Sequence, residues 1–264
     1  MPPISARSLT ANVRTWLATT RRPSMLHIFD PACNLINERG EVLSVVTPSI
    51  GNGPFNLVLA AEICFSDFLE IESSILISPA RLALGDLIVE HVNAQLWNPR
   101  PDWANLHAEK HKVFNNLPIA NYQPLLPHSL VSNLSSALAS ADIPSAKTTA
   151  SQIAGLGIGL TPSGDDFLMG AMHAAWILHP ADAAATLVKE IVNIAAPLTT
   201  SLSAAWLRSA GKGEAGILWH EFLEALVTAD TSSIQPAVDR ILSVGETSGA
   251  DAMAGFVSTL TVLP

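Results

Sequence analysis

Charge is scarce in this chain, and positive charge is scarcest. Only 14% of its 264 residues are Asp, Glu, Lys or Arg, against about 25% in an average soluble domain. The net charge of −9, 14 Lys plus Arg in all, and no basic cluster beyond Arg21-Arg22 exclude nucleic acid as the main partner. Long apolar runs are also missing. No uninterrupted stretch approaches the roughly 18 residues that suggest a membrane span, and the opening MPPISARSLT has no basic segment followed by an apolar one. The expectation is a cytoplasmic protein with no membrane association. Cysteine is reduced to Cys33 and Cys64, both in apolar surroundings and without metal-ligand spacing, which reads as reduced core residues. No Ser-His-Asp order and no Cys-His pair supports a conventional hydrolase mechanism.

What is present is apolar. Hydrophobic residues make up 48% and mean hydropathy is +0.33, which points to an oligomer or subunit interface. The length suits one large domain or two smaller ones. Residues 1–23 read as an N-terminal helix with Trp16 and Leu17 on its apolar face, ended by Arg21-Arg22-Pro23. Short β-prone runs follow at Leu26–Phe29, Val42–Val46, Leu57–Leu59, Ser74–Ile77 and Leu87–Val89, punctuated by Gly40, Gly51-Asn52-Gly53-Pro54, Pro79 and Gly85. Asn98-Pro99-Arg100-Pro101 reads as a junction. Beyond it, Ala- and Leu-rich periodicity predicts helices near 103–116, 123–141, 144–154, 164–178, 182–210 with a break at Pro197, 214–228, 232–244 and 249–262. The predicted fold is α+β: a small antiparallel or mixed β region with its helix over 1–100, barrel-like in its strand spacing, then a larger helical domain over 101–264.

The most informative segment is the glycine-rich stretch Gly155 to Gly164, GLGIGLTPSG, which opens onto Asp165, Asp166 and an apolar helix. A loop of this kind feeding a helix start brings backbone N–H groups close to a ligand. A weaker copy lies 85 residues on, where Ser248-Gly249-Ala250-Asp251 and Gly255 repeat the S-G-x-D-x-x-x-G of Ser163-Gly164-Asp165-Asp166 and Gly170. Helix capping by each Ser, with Asp three residues later, accounts for part of the pattern. It leaves the glycines before Ser163 and the second acid, Asp165, unexplained. On the functional reading, N–H groups following Leu160 and Ser163 hold an anion or a carbonyl oxygen, while Asp165 or Asp166 binds a metal, an amide N–H or a cation. Two carboxylates at a helix start already satisfy its dipole, so a bound anion needs a cation such as Arg or Mg²⁺ between them. The stretch lacks the lysine of a P-loop and no clear strand leads into it, so a nucleotide cradle fits poorly.

Other candidates are weaker. His173 lies on the face of Asp166, seven residues on, and reads equally as a core histidine. His107 and His111 flank Glu109 on one predicted helix, a spacing unlike the zinc protease motif. Thr199, Thr200, Ser201 and Ser203 follow Pro197, and Ser203 shares a face with Trp206 and Leu207. The turn Gly51–Asn56 reads as a connection or a ligand-facing loop.

The string GLGIGLTPSGDDFLMG over Gly155–Gly170 resembles the signature of the AllH-like proteins, with Thr200–Leu207, Gly213-Glu214 and the Gly245–Gly255 segment similar to later blocks in the same order. The resemblance implies a subunit of oxamate carbamoyltransferase in purine and allantoin degradation, acting with two partner proteins. That reaction moves a carbamoyl group between oxalurate with phosphate and oxamate with carbamoyl phosphate. It implies no settled catalytic residues. The sequence expectation is therefore a site with Asp165 and Asp166 as reacting acids and Gly157, Gly159, Thr161, Ser163, Gly164, Ser203 and Asp251 as substrate-binding residues. The substrate would be of the oxamate, oxalurate or carbamoyl phosphate type, other carbamoyltransferase subunits would be partners, and Mg²⁺ remains an open cofactor. The rival is a non-catalytic small-molecule-binding scaffold that regulates partner enzymes.

Overall fold

A computed structural model describes residues 2–118, 122, 124, 126–228 and 231–262. The chain forms two compact units, residues 1–99 and 100–264. The α+β expectation holds: the first unit is a mixed, nearly closed, barrel-like sheet and the second is helical.

In the first unit the strands are β1 (Ile4–Leu9), β2 (Ser24–Phe29), β3 (Ala32–Ile36), β4 (Val42–Val46), β5 (Asn56–Leu59), β6 (Ile75–Ile77), β7 (Arg81–Leu84), β8 (Leu87–Glu90) and β9 (Gln95–Leu96). Their order is β2-β3-β4-β5-β1-β8-β7-β6, with β9 added alongside β1. Pairing is parallel between β4 and β5 and where β1 meets β8 and β9, and antiparallel elsewhere. Five β-prone runs read from the sequence are strands. The predicted helix over 1–23 is not continuous. Residues Ile4–Leu9 are a central strand between β5 and β8, and only α1 (Ala11–Thr19) is helical. Pairing on both edges overrides the local preference of ISARSL. Thr10 then caps α1 by accepting the Val13 N–H at 3.2 Å. Val13, Trp16 and Leu17 face the sheet core with Leu35, Leu43, Leu57, Leu82 and Leu84. The Gly51–Asn56 turn is bound within this unit: Ser8 donates to the Asn52 side chain at 2.6 Å and Asn56 to the Gly51 carbonyl at 3.0 Å. Cys33 and Cys64 are free thiols, and burial pushes Cys33 up to about 12, as suits a core residue.

The second unit holds α2 (Trp103–Ala108), α3 (Lys110–Asn116), α4 (His128–Ala139), α5 (Ile143–Ile153), α6 (Ser163–Leu178), α7 (Ala181–Ala195), α8 (Ser201–Gly211), α9 (Ile217–Thr228), α10 (Thr231–Leu242) and α11 (Ser248–Leu260). The predicted start of a helix at 123 falls at a position outside the described residues; α4 begins at His128. Pro197 breaks the long predicted helix as expected, within a 3-10 turn joining α7 to α8. The predicted helix over 103–116 is two helices, because the chain turns at Glu109. His107 and His111 consequently sit on different helices, and His107 Nδ1 contacts the Ile177 carbonyl at 2.8 Å.

α6 is the axis of this unit. Every residue in it except Met169 and Leu178 is buried. It crosses α11 at two glycines. A Cβ on Gly170 would strike the Ala252 carbonyl, and a Cβ on Gly255 would strike the Phe167 carbonyl. Only glycine permits main chains to approach this closely.

Candidate functional site

The two S-G-x-D copies form a pseudo-two-fold pair. The glycine contacts across the crossing are reciprocal, since Ala252 stands in the second copy where Phe167 stands in the first. The approach to each helix repeats too. The Leu156 N–H bonds the Ile153 carbonyl and the Val244 N–H the Ile241 carbonyl, both at 3.0 Å. The Gly164 N–H reaches Leu156 at 2.8 Å, and the Gly249 N–H reaches Val244 at 3.0 Å. Gly164 abuts the Ile153 carbonyl as Gly249 abuts that of Ile241. Gly157 and Gly245, both with positive φ, turn the chain in the two loops. The copies differ in one respect. Five residues separate Gly157 from Ser163 and two separate Gly245 from Ser248, so the first loop is three residues longer. Its tip is open to solvent, with Gly159 exposed and Ile158 95% exposed.

Ser163 and Ser248 are not the caps expected from the sequence. Each is the first residue of its helix, the cap positions are Pro162 and Thr247, and neither cap makes a side-chain bond. The loop itself takes the first-turn N–H groups. Gly164 gives its N–H to Leu156, while Asp165 and Asp166 give theirs to the Pro162 carbonyl at 2.8 and 3.2 Å. The N–H after Ser163, expected to hold an anion, is therefore occupied.

What the site leaves open is acceptor capacity. Asp165 has partners on both oxygens: one accepts the Gly155 N–H at 2.9 Å, and the other accepts the hydroxyls of Thr199 and of Ser203, the latter at 2.8 Å. Thr200 adds a bond to the Leu160 carbonyl at 2.6 Å while capping α8. Asp165 thus ties the loop to α8, and Ser203 faces inward.

Asp166 and Asp251 differ from Asp165. They are 5% and 3% exposed, and Oδ2 of each is buried with no hydrogen-bond partner among the described residues. Burial pushes the Asp166 carboxyl up to about 8. The nearby charges of Asp251 and Asp165 add to the rise, and hydrogen bonds from the hydroxyls of Ser248 and Thr161 oppose it. Those two hydroxyls are themselves 2.9 Å apart and join the longer loop to the start of α11. Two carboxyls and two hydroxyls, with no cation paired to either acid among the described residues, make a place that seeks hydrogen-bond donors.

Of the residues expected in the site, Thr161, Asp166 and Asp251 come together, with Gly164 at the start of the same helix. Asp165 and Ser203 meet one helical face away. Gly157 and Gly159 shape the exposed loop. Ser248 and Thr199 were not among the expected site residues. The repeat signals the first, because Ser248 matches Ser163, and the hydroxyl cluster after Pro197 signals the second. His173 is buried beneath Trp103 and Trp219, with ring centroids 5.8 and 5.0 Å away, and burial lowers it to about 3, with His220 adding to the effect. No group of three or more metal-ligating His, Cys, Asp or Glu side chains occurs among the described residues. Three surface hollows lie on α4 and α5, on α2 and α9, and on α9 and α10. Among the described residues no helix is long and apolar enough to cross a membrane.

Residues 153–260 match the family model AllH, described as oxamate carbamoyltransferase subunit AllH. The resemblance read from the glycine-rich string is thus shown for that span. The AllH-type segment begins at the last residue of α5 and ends at the last of α11, so it takes in both copies of the repeat and the hydroxyls of α8. The sheet unit lies outside it. No solved structure matches the chain at a significant level.

Proposed function

We propose that this chain is the substrate-holding subunit of a carbamoyl-transferring enzyme of the oxamate carbamoyltransferase type. The observation that carries the reading is the pair of buried carboxyls, Asp166 and Asp251, each with an unpartnered oxygen at the start of one of two crossing helices. Oxamate, oxalurate and carbamoyl phosphate all carry an –NH₂ or –NH– group, and buried carboxylate oxygens discriminate for such donors because leaving them unpaired is costly. Thr161 and Ser248 complete the contact to the amide end. The glycines of the longer loop, Gly157 and Gly159, shape its exposed crest over the substrate, and Ser163 and Gly164 seat the helix start. Asp165 and Ser203 hold the loop against α8 and act through position.

The carboxylate or phosphate end of the substrate needs positive charge, and the motifs supply none. Partner subunits bring it in this reading, Mg²⁺ being the alternative source, and the apolar composition suits a buried interface within an oligomer. A cytoplasmic location belongs to the same proposal. The test is carbamoyl transfer from carbamoyl phosphate to oxamate by the full chain assembled with its partner subunits. Asp166→Asn is expected to lower turnover by about 10²-fold, the lower range for a positioned acid or base. Normal turnover in that variant removes the reading.

The scaffold reading draws on a different observation, the exposed apolar side chains of Leu156 and Ile158 on one loop and Val244 on its repeat. If Asp166→Asn abolishes assembly while turnover per assembled complex stays intact, the regulatory role replaces the catalytic one.

A further inference from the structure

A transfer between phosphate and an amide nitrogen moves protons at two separate places. When an oxygen of HPO₄²⁻ bonds to the ureido carbon of oxalurate, the bond from that carbon to the oxamate nitrogen breaks and its electron pair leaves with nitrogen. That nitrogen must gain a proton as the amide departs. The attacking phosphate hydroxyl must lose one to become the carbamoyl phosphate dianion. One proton is needed on one side and one is released on the other, so the sum is closed without external acid or base.

We infer that Asp166 and Asp251 work as a single proton-exchanging pair, Asp251 being a second catalytic carboxyl, in which one member protonates the departing nitrogen while the other accepts the phosphate proton. The inference rests on the carbamoyl-transfer reading. It adds a role for the second copy of the repeat.

Four observations carry it. The two acids occupy equivalent positions in two copies of one motif, each four residues before the glycine that packs on the opposite helix, and the charge of Asp251 acts on Asp166. Both Oδ2 atoms are buried without a hydrogen-bond partner among the described residues. The charges acting on Asp166 come from Asp251 on α11 and from Asp165 on its own helix, and Asp165 is hydrogen-bonded to Gly155, Thr199 and Ser203. Burial and the like charge of Asp251 disfavour the ionised form, so the Asp166 carboxyl keeps its proton near neutrality. Ser248 and Thr161 bond to each other beside Asp166 and favour its ionised form, which steadies that carboxyl once its proton has left. After each turnover the pair again holds one proton, and the reverse reaction moves it the other way. Loss of the Asp166 proton near pH 8 sets an alkaline limit to turnover.

Two measurements test the pair, one of them independent of activity. Infrared difference spectra of the full chain against pH, compared with Asp166→Asn, report the protonated Asp166 carboxyl, expected to disappear near pH 8. Removing the neighbouring charge in Asp251→Asn moves that midpoint down, and removing the opposing hydroxyl in Ser248→Ala moves it up. A midpoint unmoved in Asp251→Asn overturns the inference. With the assembled enzyme, Asp251→Asn and Asp166→Asn each lower kcat by about 10²-fold or more, leave KM for phosphate nearly unchanged and abolish the alkaline limb of the pH profile. Asp251→Glu recovers part of the loss. An Asp251→Asn enzyme with normal kcat and an unchanged profile also overturns the inference. If the wild-type assembly transfers no carbamoyl group while the infrared midpoint responds as stated, the functional reading fails and proton sharing stands.

Discussion

Ser163 and Thr200 are both small hydroxyl residues at helix starts, yet their contributions differ. Thr200 accepts the Ser203 N–H at 3.1 Å and donates to the Leu160 carbonyl, fixing both α8 and the loop, whereas Ser163 stands inside its helix and makes no capping bond. Thr200→Ala is expected to cost about 1 to 2 kcal/mol and Ser163→Ala less than about 0.5, measured by denaturant unfolding. At this scale the sequence was legible where residue type fixes the role. Asp166, Asp251 and Thr161 were named from the motif and do meet. The distinct roles of Asp165 and Asp166 were not legible, because adjacent acids on a helix differ only in which neighbours they face, and Thr199 and Ser203 come from 34 or more residues away.

Between elements, the α6 and α11 crossing decides the geometry of both carboxyls. Gly170→Ala or Gly255→Ala puts a methyl against a main-chain carbonyl, which no rotamer change relieves, so overpacking outweighs the roughly 1 kcal/mol that alanine gains in helix propensity. Each variant is expected to lose about 2 to 3 kcal/mol of stability by denaturant titration. Gly159, in the exposed loop with nothing near its Cβ position, is the contrasting site. Gly159→Ala is penalised only by its φ of +93°, at about 1 kcal/mol. Most helices of the second unit were readable from apolar periodicity, but the turn at Glu109 that divides 103–116 into α2 and α3 was not. The two strands flanking β2 and β8, namely β3 and β7, were not. Each is only four or five residues long, and such short runs reveal themselves through their partners.

For the molecule as a whole, two buried ionisable groups oppose each other across the pH scale. The folded state holds the Asp166 proton up to about pH 8, far above the ordinary carboxyl value of 3.8. Its contribution to stability is complete below about pH 4 and disappears as pH rises toward 8. His173, lowered from 6.5 to about 3, contributes fully above pH 6.5 and loses its contribution as pH falls toward 3. Thermal melts of the full chain are therefore expected to show wild type falling relative to Asp166→Asn between about pH 4 and 8. Relative to His173→Phe, wild type falls between pH 6.5 and 4. Parallel melting curves in either comparison contradict the burial described for that residue. The overall α+β plan was visible in the change from short punctuated β runs to Ala- and Leu-rich periodicity near Pro99. The strand order was not, because parallel neighbours such as β1 and β8 lie some 80 residues apart in sequence and leave no local trace.

The glycine contacts at the helix crossing have an evolutionary consequence. Because main-chain atoms alone set the gap there, surrounding apolar side chains are free to drift while the two acids keep their separation. A homologue with a quite different helical core but both glycines retained should preserve the same chemistry, and one that has exchanged either glycine should have surrendered it.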